Sequence, residues 1–75
     1  MFRPTAETEL RAIVAQNLRA QRALMEISQE ELATLAGVHR TYVSQIEREL
    51  KNVSIDSLRK LANALHVDVH VLLMP

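Results

Sequence analysis

The chain predicts an all-α fold of five short helical segments, on three observations. Glycine occurs once and proline twice in 75 residues, too few turn-formers for the frequent reversals of an all-β fold. Apolar residues recur at intervals of three and four, the period of a helix with one buried face. Hydroxyl and carboxylate residues stand just before several of these stretches, where a helix start needs a cap. The length suits a single domain spanning residues 1–75, burying roughly 60% of the surface its unfolded chain exposes. There is no cysteine, so neither disulfides nor a thiolate zinc site can staple it. Close helix packing, a dimer, or both must stabilise it.

The first helix is expected from about Ala6 to Met25, where Leu10, Ile13, Val14, Leu18 and Met25 fall near a 3.6-residue repeat and Thr5, after Pro4, is placed to cap it. The second starts at Ser28-Gln29-Glu30-Glu31, a capping box with a serine at the cap and a glutamate three residues on. Leu32, Leu35 and Ala36 supply its apolar stripe. Gly37, the sole glycine, ends it, because glycine enters the left-handed region without a Cβ penalty. The third restarts by about Arg40, with Val43 and Ile46 facing inward. Residues 49–53 lack periodicity and read as a loop. Ser54 caps a fourth helix carrying Ile55, Leu58, Leu61, Ala62 and Leu65. His66-Val67 breaks the pattern, and Asp68 is placed to cap a last short turn with Val69, Leu72 and Leu73. The chain shows no internal repeat, low-complexity stretch or linker.

Nine basic and nine acidic residues cancel, whereas a nucleic-acid binder is more usually basic. The charges are nonetheless sorted. Arg11, Arg19 and Arg22 fall in residues 11–25 without an acid, and Glu26, Glu30 and Glu31 follow without a base, so a neutral total can hide a basic face. Phe2 and Tyr42 are the only aromatics, which argues against a base-stacking platform for single strands. The N-terminus does not resemble an export signal, and no apolar run is longer than Val71 to Met74, far short of a membrane span. A cytoplasmic protein is expected, of bacterial or phage type, with no membrane contact.

Two short helices joined by the three-residue turn Gly37-Val38-His39 form a helix-turn-helix signature over about residues 28–48. In that motif the first helix lies across a phosphate backbone and props the second, whose N-terminal half enters the major groove. Ala33 fits this reading, since the partner helix must approach closely at the middle of the first short helix. Arg40, Thr41, Ser44 and Gln45 lie on one helix face, opposite Val43 and Ile46. Arginine can grip guanine O6 and N7 and glutamine can pair with adenine, with contact to phosphate a further use for such a face.

The stretch from Ser28 to Arg48, continued by Asn52-Val53-Ser54-Ile55 and Leu58-Arg-Lys-Leu-Ala-Asn-Ala-Leu65, resembles the Cro/repressor (XRE) family of helix-turn-helix regulators. His39-Arg-Thr-Tyr42 and Asn52-Val-Ser54 are most similar to one subgroup, the controller proteins of restriction–modification systems. The resemblance implies a lambda-repressor-like fold and a dimer reading a palindromic double-stranded operator as a transcriptional regulator. It implies base contacts from Arg40, Thr41, Ser44 and Gln45. Phosphate contacts are implied for Gln29, His39, Tyr42, Arg48, Lys51 and Asn52, with a plain helix cap an equal reading of His39. It matches Arg22 and Glu47 to an ion pair tying the reading helix to the first helix. Glu30 matches a surface used on RNA polymerase, though an acid in a helix first turn is favourable without any partner. Glu26 and Glu49 stand where relatives often have glycine, and Val53 where they often have proline, which loosens the expectation for the loop and for the aim of Asn52. The apolar tail is expected first to pack on the first helix, with the remainder, drawn from Val69, Leu72, Leu73 and Met74, offered to a homodimer.

His66 and His70, four apart with Asp68 between, have ligand spacing but no evident third ligand, so neither a metal nor a cofactor is expected. No nucleophile–base–orienter set and no phosphate-cradling glycine loop appear, so no enzymatic activity is expected. The competing readings are a phage or plasmid repressor, an antitoxin, or an interaction module of similar shape that assembles a complex without touching DNA.

Overall fold

The computed structural model describes residues 6–75. Among these residues there are four α-helices and one short 3-10 segment: α1 (Ala6–Met25), α2 (Gln29–Ala36), α3 (Arg40–Glu47), α4 (Ile55–Leu65) and the 3-10 turn Val69–Leu73. The expected fifth helix is thus a single tight turn rather than an α-helix. Asp68 precedes it without making a side-chain cap bond. Five residues of Val-His-Val-Leu-Leu hold too little chain to nucleate an α-helix on their own. The expected cap at Thr5 lies outside the described residues.

Local chemistry explains the helix starts. The Ser28 hydroxyl accepts from the Glu31 N–H at 3.0 Å, and the Glu31 carboxylate accepts from the Ser28 N–H at 2.8 Å, which completes the capping box. Ser54 accepts from the Ser57 N–H at 3.0 Å, and His39 caps α3 through Nδ1, which accepts from the Thr41 N–H at 3.1 Å.

The helix ends share one device. After α2, Gly37 adopts φ 73°, and the Gly37 and Val38 N–H groups return to the carbonyls of Thr34 and Ala33. The same paired return follows α1 at Glu26 and Ile27, α3 at Glu49 and Leu50, and α4 at His66 and Val67. Glu26, Glu49 and His66 hold φ of 57°, 61° and 59°. Two of these are the glutamates noted above as standing where glycine is common. A left-handed L-residue costs roughly 1–2 kcal/mol, part of which glycine would return as its greater loss of freedom on folding. Glu49→Gly is therefore expected to stabilise the protein by about 0.5–1 kcal/mol, read as a higher denaturation midpoint in urea.

One core unites the elements. Val14 and Leu18 of α1, Leu32, Ala33 and Ala36 of α2, Val43 and Ile46 of α3, Leu58, Leu61, Ala62 and Leu65 of α4, and Leu72 of the 3-10 turn are buried together. Ala33 is 3% exposed, as the close approach of α2 and α3 requires. Four sequence expectations are corrected here. Leu10 is 49% exposed, Leu35 59% and Ile55 84%: helix period alone places each near an apolar stripe, but the neighbouring helices cover only its centre. Leu72 is fully buried within its own protomer, so it cannot belong to a dimer contact.

Candidate nucleic-acid interface

The face carrying the chemistry is built from α3 outward. Val43 is fully buried and Ile46 is 2% exposed, which fixes the rotation of the helix. Arg40 and Thr41 are then exposed and Ser44 and Gln45 half-buried, so all four expected base-reading residues stand on the outer side. Tyr42 is half-buried and packs against the core, which leaves only part of its side chain for a ligand. Because Nδ1 of His39 accepts the Thr41 N–H, its ring proton resides on Nε2 in the neutral form. The residue is a helix cap, as one of its two expected readings had it.

A buried charge cluster anchors α3. Glu47 is 3% exposed, and Arg22 grips it with both arms of its fork, Nε to Oε2 at 2.7 Å and a terminal nitrogen to Oε1 at 2.9 Å. The remaining terminal nitrogen of Arg22 donates to the Ile27 carbonyl at 3.0 Å, and Arg19 donates to the backbone carbonyl of Glu47. Burial pushes the Glu47 carboxyl up. The Arg22 and Gln29 hydrogen bonds and the Arg22 and Arg19 charges more than reverse this, leaving it below the ordinary glutamate range. Hydrogen bonding to Glu47 in turn raises Arg22, against the opposing effect of its own burial.

Gln29 departs from its expected aim. Its amide nitrogen donates to Glu47 Oε1 at 3.0 Å, so the side chain turns toward the ion pair. The first N–H groups of α2 stay at that helix start, an end with positive partial charge. Beyond α3, Arg48, Lys51 and Asn52 are exposed. The Oδ1 of Asn52 accepts from Nε of Arg11 at 2.7 Å. Neither the Arg11 tie nor the inward turn of Gln29 was anticipated. Their signal was the acid-free arginine series at 11, 19 and 22, whose members share the side of α1 that meets residues 47–52.

At the tail, Leu73 and Met74 are 39% and 52% exposed and Val69 is half-buried. Asn17 donates to the Met74 carbonyl at 2.8 Å, tying the tail to α1. Glu30 is exposed at the start of α2. Among the described residues no group of three potential metal ligands converges, so His66, Asp68 and His70 do not gather into a site, and no helix is long and apolar enough to cross a membrane.

A braced short helix with an outward polar face, set behind a propping helix and a glycine turn, defines a helix-turn-helix domain. The profile of the helix-turn-helix family HTH_3 matches residues 18–72, and the chain belongs to that family. It is 42% identical over 65 residues to the control protein C.SmaI of Serratia marcescens, covering 87% of this chain and 77% of that protein. The crystal structure of the restriction–modification controller protein C.AhdI of Aeromonas hydrophila superposes with a TM-score of 0.80 at 40% identity, covering 83% of this chain and 94% of that one. SinR, the master regulator for biofilm formation, crystallised with DNA, superposes with a TM-score of 0.78 at 42% identity, covering 81% and 98%. This chain spans 56% of full-length SinR of Bacillus subtilis. Of these relatives, C.SmaI and C.AhdI are controller proteins, and SinR is a regulator seen in complex with DNA.

Proposed function

We propose that this protein is a sequence-specific transcriptional regulator that binds a palindromic double-stranded operator as a homodimer, in the manner of a controller protein governing its own promoter. One observation carries the reading: Arg40, Thr41, Ser44 and Gln45 project from a helix whose opposite side, Val43 and Ile46, is locked into the core. That helix presents its N-terminal half as a groove reader must. Arg40 has the paired donors for guanine and Gln45 the donor and acceptor for adenine, with Thr41 offered to a thymine methyl and the Ser44 hydroxyl able to donate to or accept from a base edge. Phosphate contacts fall to Arg48, Lys51 and Asn52, to the exposed part of Tyr42, to Nε2 of His39 and to the backbone at the start of α2 beside Gln29.

A single protomer measures 38 × 20 × 20 Å and offers one reading helix, so a palindrome needs two copies with reading helices ~34 Å apart. The exposed Leu73 and Met74, with Val69 at their edge, support the tail as the contact between copies. A dimer in the cytoplasm, associated with the nucleoid, is the form this reading requires.

Selection of bound sites from random duplexes, followed by fluorescence titration of the selected and an unrelated duplex, tests the proposal. Equal affinity for both overturns the sequence-specific reading, and no affinity for either overturns it in favour of an interaction module. Lys51→Ala is expected to weaken binding to the selected and unrelated duplexes alike and to reduce the salt slope by about 0.9 per protomer, one phosphate's share, and so by about 1.8 for the bound dimer. The exposed carboxylate of Glu30 already serves the α2 dipole. A Glu30→Ala variant that keeps DNA affinity but fails to activate transcription would assign that carboxylate to RNA polymerase as well.

A further inference from the structure

We propose that Arg11 is a positioning residue of the DNA interface: it occupies the carbonyl oxygen of Asn52 so that the amide's two N–H donors are presented outward to a DNA phosphate. The inference rests on the DNA-binding reading above and adds a residue outside the matched family region, which begins at residue 18. An asparagine amide carries an acceptor at one end and donors at the other, and a phosphate can use only the donors. Free in solvent, the group turns either end outward. Here Arg11 Nε donates to Oδ1 at 2.7 Å, and a guanidinium has no acceptor with which to hold the amide the other way round.

The loop gives this tie its importance. Residues 49–53 contain neither glycine nor proline, and the segment leaves α3 through Glu49 in the left-handed region. The backbone preference there is therefore weak, and a side-chain anchor from α1 is what sets the aim of Asn52. Arg11 itself is half-buried and, with Leu10 and Val14 of α1, lines one wall of an apolar depression whose other wall includes Lys51, Asn52 and Val53. Its stem is thus held against apolar surface while its head reaches the loop. α1 thereby braces the reading face at three points: Arg22 and Arg19 hold Glu47 at the end of α3, and Arg11 holds the phosphate-facing loop beyond it.

The test is a double-mutant cycle on DNA affinity with Arg11→Ala, Asn52→Ala and the double variant. It uses the full chain and a fluorescein-labelled duplex of fixed arbitrary sequence, since a phosphate contact is sequence-independent. Arg11→Ala and Asn52→Ala are each expected to weaken binding by about 3–10-fold, one hydrogen bond's worth. The double variant should be no weaker than Asn52→Ala alone, and the salt slope of Arg11→Ala should match wild type. Additive losses, or a salt slope reduced by about 0.9 per bound protomer, would show Arg11 acting as a separate charge and would overturn the proposal. So would wild-type affinity in Arg11→Ala. A fall in melting temperature of Arg11→Ala without the coupled affinity loss would assign the contact to loop stability and also overturn it. Failure of wild type to bind any duplex would sink the DNA-binding reading itself, and this inference with it.

Discussion

Arg22→Ala is expected to lower the folding stability by ~3–5 kcal/mol, the cost of leaving a buried carboxylate without its partner. Small domains are stable by only ~5–15 kcal/mol, so the variant should be partly unfolded at moderate temperature. Glu47 is 3% exposed, and three side chains converge on it: Arg22 through both arms of its fork, Gln29 through its amide, and Arg19 on its backbone carbonyl. Removing Arg22 strands the carboxylate with one neutral donor. Gln29→Ala should be milder, since the fork of Arg22 persists. The sign of the pH dependence follows from the lowered Glu47 carboxyl. Its contribution is complete above the unfolded glutamate value of ~4.3 and is lost as pH falls below that value and through the lower folded one. Glu47→Gln should therefore be less stable than wild type near neutrality, and its stability should fall less steeply on acidification. Circular dichroism melts of the three variants across pH 2–7 check this (a working range of roughly the carboxylate titration). A wild-type-like melt for Arg22→Ala would remove the ion pair from any structural role.

Arg40→Ala should produce the largest change in DNA reading. The residue is exposed at the first position of α3, where a guanidinium can meet guanine O6 and N7 together. Losing such a contact costs ~1–3 kcal/mol at one base pair and relaxes preference there. Affinity for arbitrary DNA should change much less, and most of that change should vanish at high salt. This pattern is the reverse of the one expected for Lys51→Ala. Site selection repeated with Arg40→Ala measures it directly: preference at one symmetric pair of positions should flatten while the rest persist. Uniform weakening without loss of preference would place Arg40 on phosphate. Both outcomes presuppose that α3 keeps its orientation, which ties this prediction to the Glu47 cluster.

The legible part of this protein was local. Capping at Ser28 and Ser54, the end of α2 at Gly37 and the outward set at 40, 41, 44 and 45 are consequences of hydrogen-bonding groups and helical period within a few residues, and each can be read along the chain. The burial of Leu72 and the exposure of Leu35 and Ile55 could not be read that way. They depend on which neighbouring helix covers which part of an apolar stripe, and periodicity does not report a neighbour. The aims of Gln29 and Asn52 were hidden for a related reason. Both amides are claimed by groups many residues away, Glu47 and Arg11, and a flexible polar side chain takes its direction from the partner it meets.

The chain alone thus determined the helices, the turn, the outward polar face of the third helix and the family to which they point, because these follow from short-range chemistry repeated at helical spacing. Tertiary structure decided how that face is held: three arginines of α1 reach the end of α3 and the loop after it, and the tail gives Leu72 to the core while leaving Leu73 and Met74 outside. The reason is physical. Caps and periods are satisfied within one or two turns of backbone, whereas a buried charge or an amide with two unlike ends is oriented only when distant groups are brought within hydrogen-bonding reach.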